Sequence, residues 1–225
     1  PVVPLNPKSG GQEPGHILTD SAPDLVPPAP GSHPPGPLAG LPRLDVDPAA
    51  RDALPDDRAR GPEDPALIVY TSGTTGRPKG VMIEHGAIAN LIRGELLTFP
   101  TSPDNRVGQN SSCAYDSSVE EIWMPLAAGA TLVVMDDDTV RLGPDLVAWL
   151  RRERISVFIP PPTLLRTTGC AAARSALPDL KRLHVGGEPL TEDVVERWAP
   201  GRCFVNDYGP TECSVVALRG IGCPP

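Results

Sequence analysis

Short apolar runs alternate with segments of helical spacing from about Asp64 to the end of the chain. The run at 66–70 is rich in β-branched residues and predicts a strand, and further strands are predicted at 130–135, 155–159, 180–185 and 203–205. Apolar residues three or four apart predict helices at 87–98, 117–128, 143–154, 161–168 and 191–199. This alternation predicts an α/β fold with mostly parallel sheets flanked by helices.

The first 65 residues differ, because they hold 16 of the 30 prolines. Proline fixes φ and has no N–H group, so the Pro/Gly-rich stretch 27–43 is incompatible with a regular helix or a central strand. Within this part, residues 15–20 predict a helical turn and residues 25–26 a short strand. We therefore predict a proline-rich leading segment, 1–65, and an α/β core, 66–225.

Polar clusters follow three of the predicted strands, at the ends where parallel sheets bind ligands. Residues 70–80 read Tyr-Thr-Ser-Gly-Thr-Thr-Gly-Arg-Pro-Lys-Gly. Glycines let backbone amides approach a phosphate, hydroxyls donate hydrogen bonds, and Lys79 adds a positive charge. The glycine spacing is neither that of a Walker A loop nor that of a dinucleotide-binding fingerprint. The competing interpretation is a flexible surface loop.

Three further clusters carry candidate chemistry. Residues 206–212, Asn-Asp-Tyr-Gly-Pro-Thr-Glu, offer an aromatic ring for a base and the Glu212 carboxylate for Mg²⁺. Residues 186–189 read Gly-Gly-Glu-Pro, and residues 113–118 precede a predicted helix that Asp116 or Ser117 is placed to cap. Each has a structural alternative: a turn with a solvated Glu212, a strand-to-helix turn, and a helix N-cap.

Charge and composition exclude several classes of protein. The formal net charge is −8 without a run of Lys or Arg, so nucleic acid is not an expected partner. No apolar stretch approaches the ~18 residues of a membrane helix, and the N-terminus lacks a signal-peptide pattern, so no membrane partner is expected. The five cysteines form no C-x-x-C pair and are odd in number, which favours free thiols in the cytoplasm.

Taken together, the clusters resemble those of adenylation domains of non-ribosomal peptide synthetases, in the adenylate-forming superfamily that includes acyl-CoA synthetases and luciferases. Residues 70–80 match its phosphate-loop motif nearly completely, and 206–212 match its Asn-x-Tyr-Gly-Pro-Thr-Glu motif in full. Residues 115–118 resemble Phe-Asp-x-Ser with Tyr for Phe, and residues 4–7 resemble the end of Val-Pro-Leu-Asp-Pro with Asn for Asp. The resemblance implies an incomplete N-terminal subdomain of such an enzyme, with 1–65 as its leading segment.

The resemblance implies that a carboxylic acid and ATP form an acyl-adenylate and pyrophosphate. The acyl group then passes to the phosphopantetheine thiol of a carrier-protein domain, expected in cis. The family's motifs place catalytic contacts on Thr74, Lys79, Thr211 and Glu212, with Glu212 as the magnesium ligand. The nucleotide-binding positions they imply are Thr71, Ser72, Gly73, Thr75, Gly187, Glu188, Pro189, Asn206, Asp207, Tyr208 and Gly209.

Asp116 matches the carboxylate that holds the α-ammonium in amino-acid-activating members of the family. The resemblance places the walls of the substrate pocket at Ser117, Glu120, Ile159, His184, Gly186, Asp207, Val215 and Val216. Two of these residues, Glu120 and Asp207, are acidic, and a buried charge needs a partner. The hypothesis is a cationic amino acid such as lysine, ornithine or diaminobutyrate. The alternative for Glu120 is a solvated helix face.

Two other functions stay open at this point. One is an acyl- or aryl-CoA ligase of the same superfamily, which has no need of Asp116, and the other is a non-catalytic remnant or binding module. In the family, a ribose-binding aspartate, a hinge and a C-terminal subdomain with the lysine essential for adenylation follow the matched motifs, and these 225 residues do not show them. The chain also starts without Met, so we expect a piece of a longer protein that turns over poorly by itself.

Overall fold

The computed structural model describes residues 1–6, 13–23, 61–72, 76–135 and 143–224. They fall into two compact units, Pro1–Gly86 and Ala87–Pro225. The Pro/Gly-rich stretch 27–43 and the strand predicted at 25–26 lie outside the described residues. The division predicted from composition, with a boundary after residue 65, stays a prediction.

The described part of the first unit contains a helix and an antiparallel hairpin. Helix α1 spans Glu13–Ser21, strand β1 spans Pro65–Thr71 and strand β2 spans Lys79–Glu84. The helical turn predicted at 15–20 and the strand predicted at 66–70 are confirmed. Strand β2 escaped the sequence analysis because Ile83 is its one buried residue, which gives too weak an alternation to detect.

Two side-chain hydrogen bonds join α1 to this hairpin. The Tyr70 hydroxyl donates to Asp20 Oδ2 at 2.7 Å, and His16 Nε2 lies 3.1 Å from the carbonyl oxygen of Pro78. Burial, and then the hydrogen bond to Asp20, raise the pKa of Tyr70 to about 12, so the hydroxyl remains a donor at neutral pH. The helix is thereby held to β1 and to the residue that precedes β2.

In the described residues, the second unit is built on a six-stranded sheet in the order β4-β3-β5-β6-β7-β8. The strands are β3 (Arg106–Gln109), β4 (Thr131–Val134), β5 (Val157–Phe158), β6 (Arg182–Gly186), β7 (Cys203–Tyr208) and β8 (Leu218–Gly222). Strands β4, β3, β5, β6 and β7 run parallel, and β8 is antiparallel to β7. The predicted mostly parallel sheet is confirmed.

Helices lie along the connections between these strands. They are α2 (His85–Thr98), α3 (Ser117–Ala127), α4 (Pro144–Arg152), α5 (Pro162–Thr167), α6 (Ala173–Ala176) and α7 (Glu192–Trp198), and Thr211–Cys213 forms a 3-10 turn. Apolar spacing predicts five of these helices and misses α6, which is only four residues long. Among the described residues, none of the helices has the length and apolar content needed to cross a bilayer.

Side chains of the sheet alternate between two apolar layers. Leu183 and Val185 of β6 pack in a cluster with Trp149 of α4 and Trp198 of α7. On the opposite face, Val107 of β3 and Val157 of β5 pack with Ile92 of α2 and Met124 of α3. Because successive residues of a strand point to opposite faces, the residue between Leu183 and Val185 is directed to the α2 and α3 side. That side carries the candidate site.

The cysteines depart from the prediction at one pair. Cys203 at the start of β7 and Cys223 just after β8 are joined in a disulfide. Phe204 and Gly222 are paired across the two strands, and Cys203 and Cys223 are the next residues beyond that pair. The antiparallel pairing therefore places the two cysteines opposite each other. The other three cysteines, Cys113, Cys170 and Cys213, are free thiols as predicted.

Candidate functional site

The Gly-rich loop connects the two strands of the hairpin in the first unit. Thr71, the last residue of β1, pairs across the hairpin with Lys79, the first residue of β2. Lys79 is exposed. The predicted loop residues Gly73, Thr74 and Thr75 lie outside the described residues. The described flanks place a hydroxyl and an ammonium at the same end of one hairpin, as a phosphate site needs.

The predicted clusters after β6 and β7 lie side by side in the second unit. Gly186 at the end of β6 is in register with Asp207 of β7. A Cβ at Gly186 would lie 2.6 Å from the Asp207 carbonyl oxygen, so only glycine allows the strands to close here. Gly187 then turns the chain with φ +79°, a conformation that glycine adopts without strain.

Glu188 is used to hold the start of a neighbouring helix. Its carboxylate accepts hydrogen bonds from the backbone N–H and the hydroxyl of Thr163 at 3.1 and 3.0 Å. Thr163 lies in the first turn of α5, where N–H groups lack helical partners. Glu188 and Pro189 are both exposed, so this turn forms part of the surface at the carboxyl edge of the sheet.

The last predicted motif forms a tight connection between β7 and β8. A Cβ at Gly209 would lie 2.7 Å from Val216 Cα, which accounts for glycine in the Tyr-Gly-Pro sequence. Ser214 and Val215 have φ values of 57° and 77°. A β-branched residue in the left-handed region is strained, and such strain concentrates at ligand sites. Val215 and Val216 are half-buried in this connection.

Side chains of this motif divide between the surface and the interior. Asn206 and Tyr208 are exposed, whereas Asp207 between them turns toward the sheet interior, as the two-residue period of a strand requires. Thr211 and Glu212 lie in the 3-10 turn, and the Glu212 side chain is exposed. Carboxylate oxygens are the ligands that Mg²⁺ prefers, so the predicted magnesium ligand fits that ion chemically.

Asp116 and Ser117 lie at the start of α3, and neither caps it. Asp116 occupies the N-cap position in a right-handed helical conformation, without a capping hydrogen bond from its side chain. The Ser117 hydroxyl instead donates to Ser111 Oγ at 3.0 Å. The capping role that sequence analysis allowed for both residues is therefore wrong. The half-buried carboxylate of Asp116 is not used to cap the helix it precedes.

A buried carboxylate that the sequence analysis missed orients this helix. Glu121 is fully buried and accepts hydrogen bonds from Asn110 Nδ2 at 2.6 Å and from the Ser111 hydroxyl at 2.9 Å. It also accepts from the backbone N–H groups of Asn110 and Ser111. Asn110 donates in addition to the carbonyl oxygen of Ile159, a predicted pocket residue. Glu121 thus fixes the start of α3 relative to the ends of β3 and β5.

Glu120, His184 and Asp207 meet in a buried cluster on the α2 and α3 side of the sheet. His184 Nδ1 lies 3.1 Å from Asp207 Oδ2 and 3.5 Å from Glu120 Oε1. Glu120 and His184 are 1% and 0% exposed, so the solvated face considered as an alternative for Glu120 is excluded. The structure therefore brings together three of the residues that sequence analysis placed in the pocket.

Two charged residues that were not predicted complete this cluster. Arg219 of β8 contacts Asp207 Oδ1 through Nε at 2.8 Å and Glu120 Oε1 through Nη2 at 3.3 Å. Its Nη1 forms an ion pair with Glu95 of α2, which is fully buried. Glu95 could have been identified from the sequence, because this acidic residue lies three residues after Ile92 and interrupts the apolar face of α2. Arg219 had no such signal, since it is 99 residues from Glu120 in the chain.

An aromatic ring lines the same cluster. Phe99 follows α2 and is 4% exposed. Its ring meets the His184 imidazole edge-on, with centroids 4.9 Å apart. The guanidinium carbons of Arg182 and Arg219 lie 5.3 and 5.6 Å from the ring centroid, within the range of cation–π attraction. The cluster is thus bordered by an apolar wall, which strengthens its electrostatic interactions.

Burial sets the protonation of the cluster. It raises the pKa of Glu120 well above the usual carboxyl range, and repulsion from Asp207 acts in the same direction. Burial lowers the pKa of His184, against the hydrogen bond to Asp207, which raises it. Burial also lowers the pKa of Arg219 to about 10, which leaves the guanidinium charged at neutral pH. At neutral pH the cluster therefore holds a neutral His184 and a charged Arg219, and it disfavours ionisation of Glu120.

Polar residues at the carboxyl ends of β6 and β7 lie where parallel α/β sheets bind ligands, as in nucleotide-binding domains. The chain matches the family model of the AMP-binding enzyme over residues 1–224, and it belongs to that family. It is 37% identical over 173 residues to bacitracin synthase 3 of Bacillus licheniformis, a match that covers 77% of this chain and 3% of that protein.

A second relative and a solved structure show the same relationship. The chain is 38% identical over 157 residues to delta-poly-L-ornithine synthetase of Acinetobacter baumannii, covering 69% of this chain and 11% of that protein. The crystal structure of the nonribosomal peptide synthetase FmoA3 superposes with a TM-score of 0.82 at 28% identity, over 97% of this chain and 24% of that one. The chain thus spans a small fraction of the length of these relatives.

Proposed function

We propose that the protein containing this chain activates an amino acid as its aminoacyl-adenylate and transfers it to a carrier domain. The observation that carries the proposal is Asp116, a half-buried carboxylate at the start of α3 without a capping hydrogen bond to that helix. A buried ammonium needs such a partner, whereas an aryl or fatty acid has no α-ammonium to place. A solved relative named as a nonribosomal peptide synthetase supports the same assignment.

The reaction joins a carboxylate oxygen of the amino acid to the α-phosphorus of ATP. The bond from that phosphorus to the bridging oxygen breaks, and pyrophosphate leaves with the electron pair. We assign the phosphate contacts to Thr71, Ser72, Gly73, Thr74, Thr75, Lys79 and Thr211. Preorganised donors of this kind stabilise the charge that develops on phosphate oxygens, and loss of one typically costs about 3–4 kcal/mol.

The adenine and magnesium contacts are assigned to the connection after β7. The exposed ring of Tyr208 offers a face to adenine, with Gly187, Pro189, Asn206 and Gly209 as its neighbours in the assignment. Glu212 would hold Mg²⁺, which supplies charge neutralisation to the phosphates when bound. The aminoacyl group then passes to a phosphopantetheine thiol on a carrier domain, which we propose to lie in the same polypeptide.

We further propose that the amino acid has a cationic side chain. Glu95, Glu120 and Asp207 converge on one region in which Arg219 is a cation that contacts all three. Burial raises the pKa of Glu120 although Arg219 lies beside it, so a further cation near this carboxyl group would favour its ionisation. The name of one relative describes an ornithine polymer, in agreement with a substrate that carries a side-chain amine.

ATP–pyrophosphate exchange with the full-length protein tests both levels of the proposal. We expect exchange with lysine, ornithine or diaminobutyrate to exceed that with every neutral and aromatic amino acid. Preference for a neutral or aromatic amino acid would contradict the cationic assignment only. Exchange with aryl or acyl acids but with no amino acid would contradict amino-acid activation and favour a CoA ligase.

The Asp116→Asn variant separates recognition of the ammonium from recognition of the side chain. Loss of the paired carboxylate should lower kcat/KM for every amino acid by about 100-fold or more, because breaking a buried ion pair costs about 3–5 kcal/mol. Asp193→Asn, on the exposed first turn of α7, is the matched control and should leave kcat/KM unchanged. An Asp116→Asn variant with wild-type kcat/KM would remove the observation that supports the proposal.

A further inference from the structure

We propose that Arg219 is a specificity-determining residue of the side-chain pocket, where it is a resident cation that excludes guanidinium side chains. The inference rests on the proposed function and adds a residue outside the set identified by family resemblance. Arg219 belongs to β8, and its side chain is 15% exposed. Its positive charge and its contacts with Glu95, Glu120 and Asp207 determine how much negative charge is left to bind a substrate cation.

The surroundings of Arg219 form a complete guanidinium site. Three carboxylates from three different elements, Glu95 of α2, Glu120 of α3 and Asp207 of β7, contact its three nitrogens. The ring of Phe99 lies 5.6 Å from the guanidinium carbon. Planar guanidinium groups select such combinations of several carboxylates and an aromatic face. A substrate guanidinium would need the space and the acids that Arg219 already uses.

Around Glu120 the acids Glu95, Asp116, Glu121 and Asp207 outnumber the cations Arg182 and Arg219, which favours one additional compact cation. Glu95 and Asp207 contact the positive Arg219, and Arg182 is a second cation that acts on Glu120. Burial and repulsion from Asp207 nevertheless raise the pKa of Glu120, so its ionisation is disfavoured without a further cation. An ammonium group near Glu120 would allow that proton to leave to solvent, after which the carboxylate and the ammonium pair. The pocket is therefore suited to a side-chain amine of lysine or ornithine type, with Arg219 kept in place.

Removal of the guanidinium should change this preference in a definite direction. In the full-length protein, Arg219→Ala opens a space lined by carboxylates that fits a guanidinium. We expect the ratio of kcat/KM for arginine to that for ornithine, measured by ATP–pyrophosphate exchange, to rise about tenfold or more, because the substrate guanidinium would gain charged hydrogen bonds to these carboxylates. Arg219→Lys keeps a cation and should shift the ratio less.

A second readout does not depend on catalysis. Methylguanidinium at low millimolar concentration should raise the melting temperature of Arg219→Ala, because it replaces the missing cation, and should leave that of the wild type unchanged. Arg202→Ala is the matched control for loss of a buried arginine. Arg202 donates to the backbone carbonyls of Leu180, Trp198, Ala173 and Leu177, so its loss should neither respond to methylguanidinium nor change the arginine to ornithine ratio.

A near-isosteric variant covers the case in which Arg219→Ala does not fold. Arg219→Gln keeps most of the volume and removes the charge, so the ratio of kcat/KM for ornithine to that for its neutral analogue norvaline should rise about tenfold. Unchanged ratios in the folded variants, without a methylguanidinium effect, would overturn the role of Arg219. A wild-type protein that exchanges with no amino acid would instead overturn the proposed function.

Discussion

Replacing Glu120 by Gln should stabilise the second unit, by an amount that grows with pH. The folded-state pKa of Glu120 is held well above its ordinary value of 4.5, first by burial and then by Asp207. Below that ordinary value both the folded and the unfolded carboxyl groups are protonated, so no pH-dependent difference exists. At higher pH the unfolded carboxyl ionises while the folded one keeps its proton, and the free energy of unfolding falls by about 1.4 kcal/mol per pH unit.

This slope ends when the pH passes the folded pKa, and Glu120→Gln should lack it altogether. The charged groups that face Glu120 in the described residues act from several elements. Asp207, Glu121 and Asp116 raise its pKa and Arg182 lowers it, and Glu95, His184 and Arg219 complete the surroundings. Because acids outnumber cations here, the protonated form of Glu120 persists to a higher pH than in the unfolded chain.

Urea unfolding between about pH 5 and about pH 8, followed by the fluorescence of the buried Trp149 and Trp198, measures the difference. We expect the variant to gain on the wild type by about 1 kcal/mol or more across this range. Glu196→Gln, on the exposed face of α7, should show no such trend. A difference between Glu120→Gln and the wild type that does not vary with pH would refute the argument, as would a variant that loses stability as pH rises.

Three further predictions follow from the same geometry. Ornithine should bind more tightly as pH rises, by up to about tenfold per pH unit below the pKa of Glu120, because ornithine binding releases the Glu120 proton. Calorimetry in buffers of different ionisation heat would detect the released proton. Binding without proton release would contradict the prediction. Gly209→Ala should lower the free energy of unfolding by about 1–3 kcal/mol, whereas Gly220→Ala, whose Cβ would lie 3.8 Å from its nearest neighbour, should have little effect in the same urea titration. Glu121→Ala should cost about 3–5 kcal/mol and reduce exchange with all amino acids alike, and wild-type melting of that variant would contradict its orienting role.

Much of the fold was predictable because helices and parallel strands leave strong periodic patterns. The strands at 155–159 and 203–205 lie in the parallel part of the sheet and are mostly apolar in sequence. Strand β2 belongs to a two-stranded hairpin, β8 lies at an edge, and β3 is only four residues long with polar ends, so their patterns are weak. Pro125 is buried within α3, although proline disfavours the interior of a helix. Tertiary packing there outweighs the local propensity.

The candidate site was predictable where function imposes a contiguous motif and unpredictable where it assembles distant residues. Motif matching located Glu120, His184 and Asp207, and the structure brings these three together. Of the partners that influence their charge state, Arg219 of β8 has no local signal in the sequence. Glu95 is detectable as an acid on the apolar face of α2, but this position does not identify its partner. Protonation of a pocket depends on such long-range partners, so residue identity alone left the electrostatics undetermined.

The pairing of Asp207 with Arg219 also fixes the alignment of β8 on β7. These two residues are directly opposite in the antiparallel ladder, and therefore on the same face of the sheet. A slip of β8 by one residue would turn Arg219 toward the apolar face that holds Phe204 and would leave Asp207 opposite a neighbour of the wrong chemistry. Inserting or deleting one residue in the connection between Tyr208 and Leu218 would turn every side chain of β8 to the opposite face of the sheet. Such a change should therefore destabilise the protein far more than inserting or deleting two residues.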